Sequence, residues 1–351
     1  RGAIVAIDPE DGGVLALVSS PGYDPNPFVN GIDIRSYKKL LASKDTPLLN
    51  RALQGKYPPG STVKPFFAIG ALEYGLRNFS DETWCQGWYS LKGSTHRYRD
   101  WKKEGHGHTN LVNAIAQSCD VYFYALAHDM GINRIHELLD RFGFGKKTNI
   151  DIVGEVVGLN PSQEWKRKSY GQSWYPGETL IVGIGQGPSL ITPLHLAVAT
   201  AVIANRGKLV RPHLFASARD SITNELVNEY TPGEMGSIEL KDDKHWKQVI
   251  DSMVEVMHGL RGTARRVGAD AAYTMAGKTG TAQIVSISQE EEYEADLVPE
   301  ELRDHALFIA FAPADQPKIA LAIIVENGSS GSSGAAPIAR ILFDHYLQEK
   351  G

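Results

Sequence analysis

The apolar pattern of this chain changes period along its length, and that change leaves few architectures open. Residues 3–8 and 14–19 are short apolar runs split by Pro9-Glu10-Asp11-Gly12-Gly13, the pattern of a β-hairpin. Residues 273–287, 305–312 and 318–326 alternate or run apolar with β-branched side chains, which predicts three consecutive strands. Between these ends, 62–74, 109–117, 121–130, 190–205 and 247–260 carry helical patterns, and 335–349 closes the chain as another helix. Strands at both ends of a helical block predict an α+β fold, an antiparallel sheet flanked by helices with a helical subdomain. The first hairpin must then join the C-terminal strands in one sheet. That sheet would draw on residues 1–20 and 270–351, and the helical and irregular block on 48–260.

Composition narrows the function classes. A length of 351 residues allows about two domains or one large one. With 36 Lys+Arg against 41 Asp+Glu the net charge is −5, so nothing draws the whole chain to nucleic acid or to anionic membranes. Two cysteines are too few for a disulfide framework. No apolar run approaches the roughly 18 residues of a membrane span, and the opening Arg1-Gly2-Ala3-Ile4-Val5 is not a signal peptide. Residues 20–47, rich in Pro, Asn, Asp and Gly, read as a wandering connection. Residues 289–304 carry eight acidic groups against one Arg, which predicts a solvated loop, and Gly-Ser-Ser-Gly-Ser-Ser-Gly at 328–334 has a flexible linker's composition.

Three short motifs carry chemistry. In Pro58-Pro59-Gly60-Ser61-Thr62-Val63-Lys64-Pro65, a helix start places Ser61 and Lys64 at i and i+3, on one face. Serine is a weak nucleophile until a neighbour takes its proton, and a lysine of lowered pKa can do so. Taken alone, the pair reads more simply as an N-cap serine and a surface lysine. Lys278-Thr279-Gly280-Thr281 supplies context, because such a strand edge offers a cation, a hydroxyl and open backbone to a substrate carboxylate. Gly280 permits close approach. Ser118-Cys119-Asp120 lies between them, 57 positions after Ser61 and 160 before Lys278. Three such motifs in this order resemble the set carried by penicillin-recognising serine acyl-transfer enzymes.

On these residues the chain, from first hairpin to last helix, resembles the transpeptidase domain of class B penicillin-binding proteins. Tyr57 through Pro65, Tyr98-Arg99-Asp100-Trp101-Lys102-Lys103, Val182-Gly183-Ile184-Gly185-Gln186-Gly187 and Ala276 through Thr281 carry a narrower resemblance, to the elongation-specific penicillin-binding protein 2 subgroup of Gram-negative bacteria. The family's middle motif usually reads Ser-x-Asn, whereas position 120 is Asp, as is common in that subgroup. A carboxylate accepts hydrogen bonds and cannot donate like an amide.

The resemblance implies a peptidoglycan D,D-transpeptidase. Ser61 attacks the D-Ala-D-Ala carbonyl of a stem peptide, Lys64 takes its proton, and Ser118 relays a proton to the leaving amine. Lys278 sets the electrostatics, Thr279 and Thr281 bind the terminal carboxylate, and the amides of Ser61 and Thr281 form the oxyanion hole. β-Lactams acylate the same serine. A D,D-carboxypeptidase, a serine β-lactamase or a non-enzymatic β-lactam sensor are the alternatives, although no Glu-x-x-Leu-Asn deacylation signature follows the second motif. Full-length members carry an N-terminal membrane helix and a pedestal domain. Neither is in this sequence, which implies a periplasmic piece of a longer protein anchored in the inner membrane. A SEDS-family glycosyltransferase and an elongation scaffold are the implied partners; nucleic acid is not one.

Cys85, Asp100, His106 and Cys119 form a Cys-x14-Asp-x5-His-x12-Cys series whose donors suit a closed zinc site. Relatives in the subgroup carry zinc in this region, which implies a structural metal bracing Ser118 and Asp120 through Cys119. A disulfide and two unpaired thiols stay open as alternatives, with His108 the substitute for His106. Trp84, Trp88 and Trp101 among Arg97, Arg99, Lys102 and Lys103 read as aromatic packing under a basic loop or as a glycan or polyanion surface. The glycines of 183–187 lack the dinucleotide-binding spacing and predict backbone passing close to the site. His305 reads as a core or edge histidine.

Overall fold

The structure is a computed structural model that describes residues 1–233, 235–284 and 298–348. The strands of its main sheet are β1 (Gly2–Ile7), β2 (Val14–Ser20), β3 (Ala276–Ala282), β4 (His305–Ala312) and β5 (Ile319–Val325). They form one antiparallel sheet in the order β2-β1-β5-β4-β3, so the N-terminal hairpin does join the C-terminal strands. Gly2 pairs with Val325 and Ile7 with Ala320 across the join. The predicted strand over 273–287 is shorter, and its residues 285–287, like 289–297 of the acidic segment, lie outside the described residues.

The helices are α1 (Ile34–Leu41), α2 (Lys64–Glu73), α3 (Leu111–Ala116), α4 (Asp120–Arg141), α5 (Gln163–Tyr170), α6 (Pro176–Gly183), α7 (Pro193–Ala204), α8 (Lys244–His258) and α9 (Ala336–Gln348). α7 is apolar on every side and packs on β1, β4 and β5; only Val198 of its residues is not buried. Its two polar side chains bond locally: Thr200 donates to the Leu196 carbonyl at 2.7 Å, and His195 Nδ1 lies 3.0 Å from Thr192 Oγ1, while His195 Nε2 is buried without a partner. α9 packs on β4 and β5, and α8 on β3. With helices against it, the interior of the sheet buries Phe308, Phe311, Leu321 and Ile323 completely, each contributing about 1.5–3 kcal/mol by removal from water.

Three expectations need correction. Residues 20–47 contain α1, started by Asp33, whose carboxylate accepts from the Arg35 and Ser36 amides; proline and asparagine density hid it. The helix expected to stop at Met130 breaks at Gly131 (φ 74°, ψ 155°) and resumes to Arg141. Residues 328–334 are not a linker. Gly331 is buried where a Cβ would strike the backbone of Leu307 and Gly280, and one on Gly328 would crowd Val325 and Ala306. Small residues are needed there because the chain turns tightly over β3 and β4 into α9.

Candidate active site

Four chain segments meet at the outer edge of β3. A short 3-10 turn, Gly60–Val63, precedes α2 and presents Ser61. Gly60 has φ +54° and leaves no room for a side chain against the Thr281 carbonyl, so the Ser61 turn lies directly on β3. On its other side the Gly60 amide donates to the Gly185 carbonyl at 2.8 Å, as the glycine pattern at 183–187 predicts. Gly280 permits close approach, but to protein: a Cβ there would stand 2.7 Å from Thr62 Cγ2.

The second motif begins α4. Ser118 adopts φ +58°, a left-handed conformation unusual for a side-chain-bearing residue, and the turn aims its hydroxyl between two lysines. Ser118 Oγ is 3.2 Å from Lys64 Nζ and 2.9 Å from Lys278 Nζ. Lys64 also donates to the Ser118 carbonyl at 2.8 Å and to Asp120 Oδ1 at 2.7 Å. Its three protons are thereby engaged, and no hydrogen bond joins it to Ser61 among the described residues. The i, i+3 spacing put the two residues on one turn; tertiary partners drew the ammonium away. Lys278 is fully buried and donates as well to the Thr279 carbonyl at 2.9 Å.

Burial, and then the neighbouring Lys64 cation, push Lys278 well below the ordinary lysine value, with Asp120 opposing. Burial also raises the Asp120 carboxyl above its ordinary range, Lys64 being the main opposing influence. Lys278 is therefore the lysine that gives up its proton more readily than a free one, and Asp120 the carboxylate that holds one more readily.

Two residues at the site were missed from sequence. Gln186 Nε2 donates to the Thr281 carbonyl at 2.9 Å, on the free edge of β3. Thr263 Oγ1 is 2.9 Å from Thr279 Oγ1, while its amide donates to the Ala116 carbonyl at 3.1 Å, two residues before Ser118. A glutamine among glycines was the available signal for the first; nothing local marks the second. His305, half-buried at the start of the internal strand β4, accepts from the Asn327 amide at 3.0 Å with its ring against Tyr57.

A family model described as the penicillin binding protein transpeptidase domain matches residues 2–344. The chain belongs to that family. It is 45% identical over 348 residues to the peptidoglycan D,D-transpeptidase MrdA of Acinetobacter baumannii, covering 99% of this chain and 51% of the relative. The crystal structure of Pseudomonas aeruginosa PBP2 in complex with WCK 5153 matches with a TM-score of 0.88 and 48% identity, over 99% of this chain and 71% of that one. PBP2 in its complex with MreC from Helicobacter pylori matches with a TM-score of 0.84 and 34% identity, over 100% of this chain and 60% of that one. The chain spans about half the length of the curated relatives it matches.

Behind the second motif of this penicillin-binding protein domain lies the predicted donor cluster. One ligand atom from each of Cys85, Asp100, His106 and Cys119 falls within 4.8 Å of all the others. Asp100 Oδ2 is 3.5 Å from Cys85 Sγ and 3.4 Å from Cys119 Sγ, and Cys85 Sγ is 3.6 Å from His106 Nδ1. Such separations match the edges of a tetrahedron around zinc, about 3.3–3.8 Å for bonds of 2.0–2.3 Å. The Cys119 thiol and, against burial, His106 pull the Cys85 thiol down to about 5. Burial opposes it, but His106 and the Lys102 and Val121 amides hold Asp100 at about 2. The donor set fits a soft divalent cation. Both cysteines are free, and His108 points away to Glu82 at 3.1 Å, so neither the disulfide nor the substitute ligand is found. The cluster reaches the site directly: Asp100 Oδ2 accepts from the Val121 amide at 3.0 Å, and the Trp101 amide donates to Asp120 Oδ2 at 3.2 Å. Trp84 and Trp101 stand exposed, which overturns the packing reading for both; only Trp88 is partly covered, under Arg97. Among the described residues no helix is long and apolar enough to cross a membrane.

Proposed function

We propose that this domain is the catalytic part of a peptidoglycan D,D-transpeptidase of wall elongation, with Ser61 the nucleophile. The observation that carries the reading is the Lys64–Ser118–Lys278 chain beside a serine turn seated on β3. Lys64, held by Asp120 at 2.7 Å, is the proposed base. Ser61 Oγ then gives its proton to Lys64 and bonds to the carbonyl carbon of the penultimate D-Ala. The amides of Ser61 and Thr281 stabilise the oxyanion. Ser118 passes a proton to the leaving nitrogen, the peptide bond breaks, and D-alanine departs. An acceptor amine from a second stem attacks the ester, forms the cross-link and returns the proton to Ser61. Thr279, Thr281 and the Gly280 backbone hold the terminal carboxylate.

A β-lactam follows the first half of this path and stops at the ester, in keeping with the family's name. Cys85, Asp100, His106 and Cys119 are the residues that would hold a structural zinc; the chemistry needs no cofactor. The parent protein is proposed to sit in the inner membrane through an N-terminal helix and pedestal, with this domain in the periplasm. A SEDS-family glycosyltransferase and a scaffold of the MreC kind, which one relative binds, are its proposed partners. Labelled penicillin tests the reading: one stable adduct at Ser61, lost in Ser61→Ala, is expected. Rapid release of hydrolysed drug would instead identify a β-lactamase. Acylation without cross-linking of a D-Ala-D-Ala peptide to an acceptor amine would identify a sensor.

A further inference from the structure

We propose that a cleft on the helical block is a saccharide subsite that holds the N-acetylated sugar end of the donor strand while Ser61 works on its peptide end. The proposal rests on the transpeptidase reading above. The cleft has a volume of about 320 Å³ and is walled by His128, Gly131, Gln163, Trp174, Pro176 and Thr179, from α4, α5 and α6 and the segment before α6. That volume accommodates one hexosamine with its acetamide.

The wall has a sugar-binding character. Trp174 is fixed in place, its indole N–H donating to Thr179 Oγ1 at 2.8 Å. A ring held in this way offers an apolar face to the C–H side of a pyranose. Gln163, whose Nε2 donates to Asn133 Oδ1 at 3.1 Å and whose other amide proton and Oε1 can turn to a ligand, stands with the half-exposed His128 at the wall, where hydroxyl and acetamide groups would meet them. At Gly131 the helix breaks with φ 74° and ψ 155°, which takes nearby backbone amides and carbonyls out of the helical ladder at the cleft wall. Ring contacts run there from the short ribbon that pairs Trp88–Tyr89 with Tyr98–Arg99, through the buried Tyr124: Tyr98 to Tyr124 at 5.7 Å, Tyr124 to Tyr89 at 6.5 Å, and Tyr89 to His128 at 6.3 Å.

Distance selects the ligand. α4 starts at Asp120, in the site, so His128 is about 12 Å along it and Gly131 about 16 Å, at about 1.5 Å per residue. α6 approaches from the other side: it ends just before Gly185, which touches the Ser61 turn, and Thr179 and Pro176 lie about 9 and 14 Å back. Along the two helices the cleft lies about 9–16 Å from Asp120 and Gly185, which flank the Ser61 turn, the length scale of a stem peptide. The scissile carbonyl belongs to the fourth residue of the stem and the sugar is attached to the first, and about four extended residues span at most about 14 Å.

The test is competition against labelled penicillin at Ser61 by two ligands: a disaccharide pentapeptide, and the same pentapeptide with an N-acetyl cap in place of sugar. The expected result is that the disaccharide form halves the acylation rate at a concentration at least about tenfold lower. Trp174→Ala and the exposed-site variant Gln163→Ala should each close that gap, with rates normalised to penicillin acylation of the same sample. Equal potency of the two ligands on the wild-type protein, with acylation intact, overturns the subsite and leaves the transpeptidase reading standing. Absence of any penicillin adduct overturns that reading instead.

Discussion

Lys64 and Lys278 converge on one oxygen, the Ser118 hydroxyl, at 3.2 and 2.9 Å. A hydroxyl has a single proton to give, and Asp120 is the carboxylate that contacts this pair, through Lys64. Two ammonium groups against one carboxylate in a buried site are unfavourable, and the burden falls on Lys278, which is fully buried and pushed down by burial and by Lys64. Ser118 Oγ accepts from both lysines, which leaves its own proton free to pass to a leaving group.

The stability consequence has a definite sign. A lysine whose folded pKa lies below its unfolded value of about 10.4 binds fewer protons when folded, so stability rises with pH between the two values. Lys278→Met removes this cost. The variant should be inactive toward penicillin yet melt no lower than wild type near pH 8, with its advantage shrinking as pH approaches 10. Thermal melts across that range check it; an advantage that grows with pH would contradict the assignment.

Glu326 gives the opposite slope. It bonds Arg51 and the Tyr57 hydroxyl, each at 2.8 Å, tying β5 to the segment before the Ser61 turn. Burial opposes it, but these bonds hold its carboxyl below the ordinary value. The stabilisation is present above about pH 4.5 and is lost as pH falls through the depressed value. Arg51 is 1% exposed, so Glu326→Ala leaves a buried cation without its carboxylate and should cost about 3–5 kcal/mol. Urea titrations at pH 7 and pH 4 should show the gap between variant and wild type narrowing in acid.

The sheet was legible because alternation and β-branched runs at both chain ends leave little choice of partner, and the Ser61, Ser118 and Lys278 motifs because their spacing is unusual. What the sequence hid was set by tertiary contact. The 328–334 run has a linker's composition, yet its glycines are small because Leu307, Ala306 and Gly280 crowd them. The Lys64 ammonium left Ser61 for Asp120, a partner 56 residues away. Thr263 is ordinary in its segment and gains meaning only where the chain crosses Thr279.

Metal content tests the brace. Metal analysis should find about one zinc per chain, lost in Cys119→Ala. Because Asp100 holds the Val121 amide and Trp101 holds Asp120, the loss should lower the melting temperature and slow acylation of Ser61 by about tenfold or more. Zinc loss with unchanged acylation would separate the cluster from catalysis.

Thr263 sits at a junction, with its hydroxyl 2.9 Å from Thr279 Oγ1 and its amide bonded to Ala116. It touches no reacting atom; its role is to orient the Thr279 hydroxyl, proposed to meet the substrate carboxylate. Thr263→Val keeps the shape and the backbone bond but removes the hydroxyl, and a hydrogen bond between neutral groups is worth about 0.5–1.5 kcal/mol. Acylation by a carboxylate-bearing penicillin should therefore weaken by up to about tenfold in the concentration giving half-maximal rate, with little change in the limiting rate. Thr263→Ser should restore it, since the hydroxyl returns. A loss confined to the limiting rate, or no rescue by serine, would show that Thr263 only packs the junction.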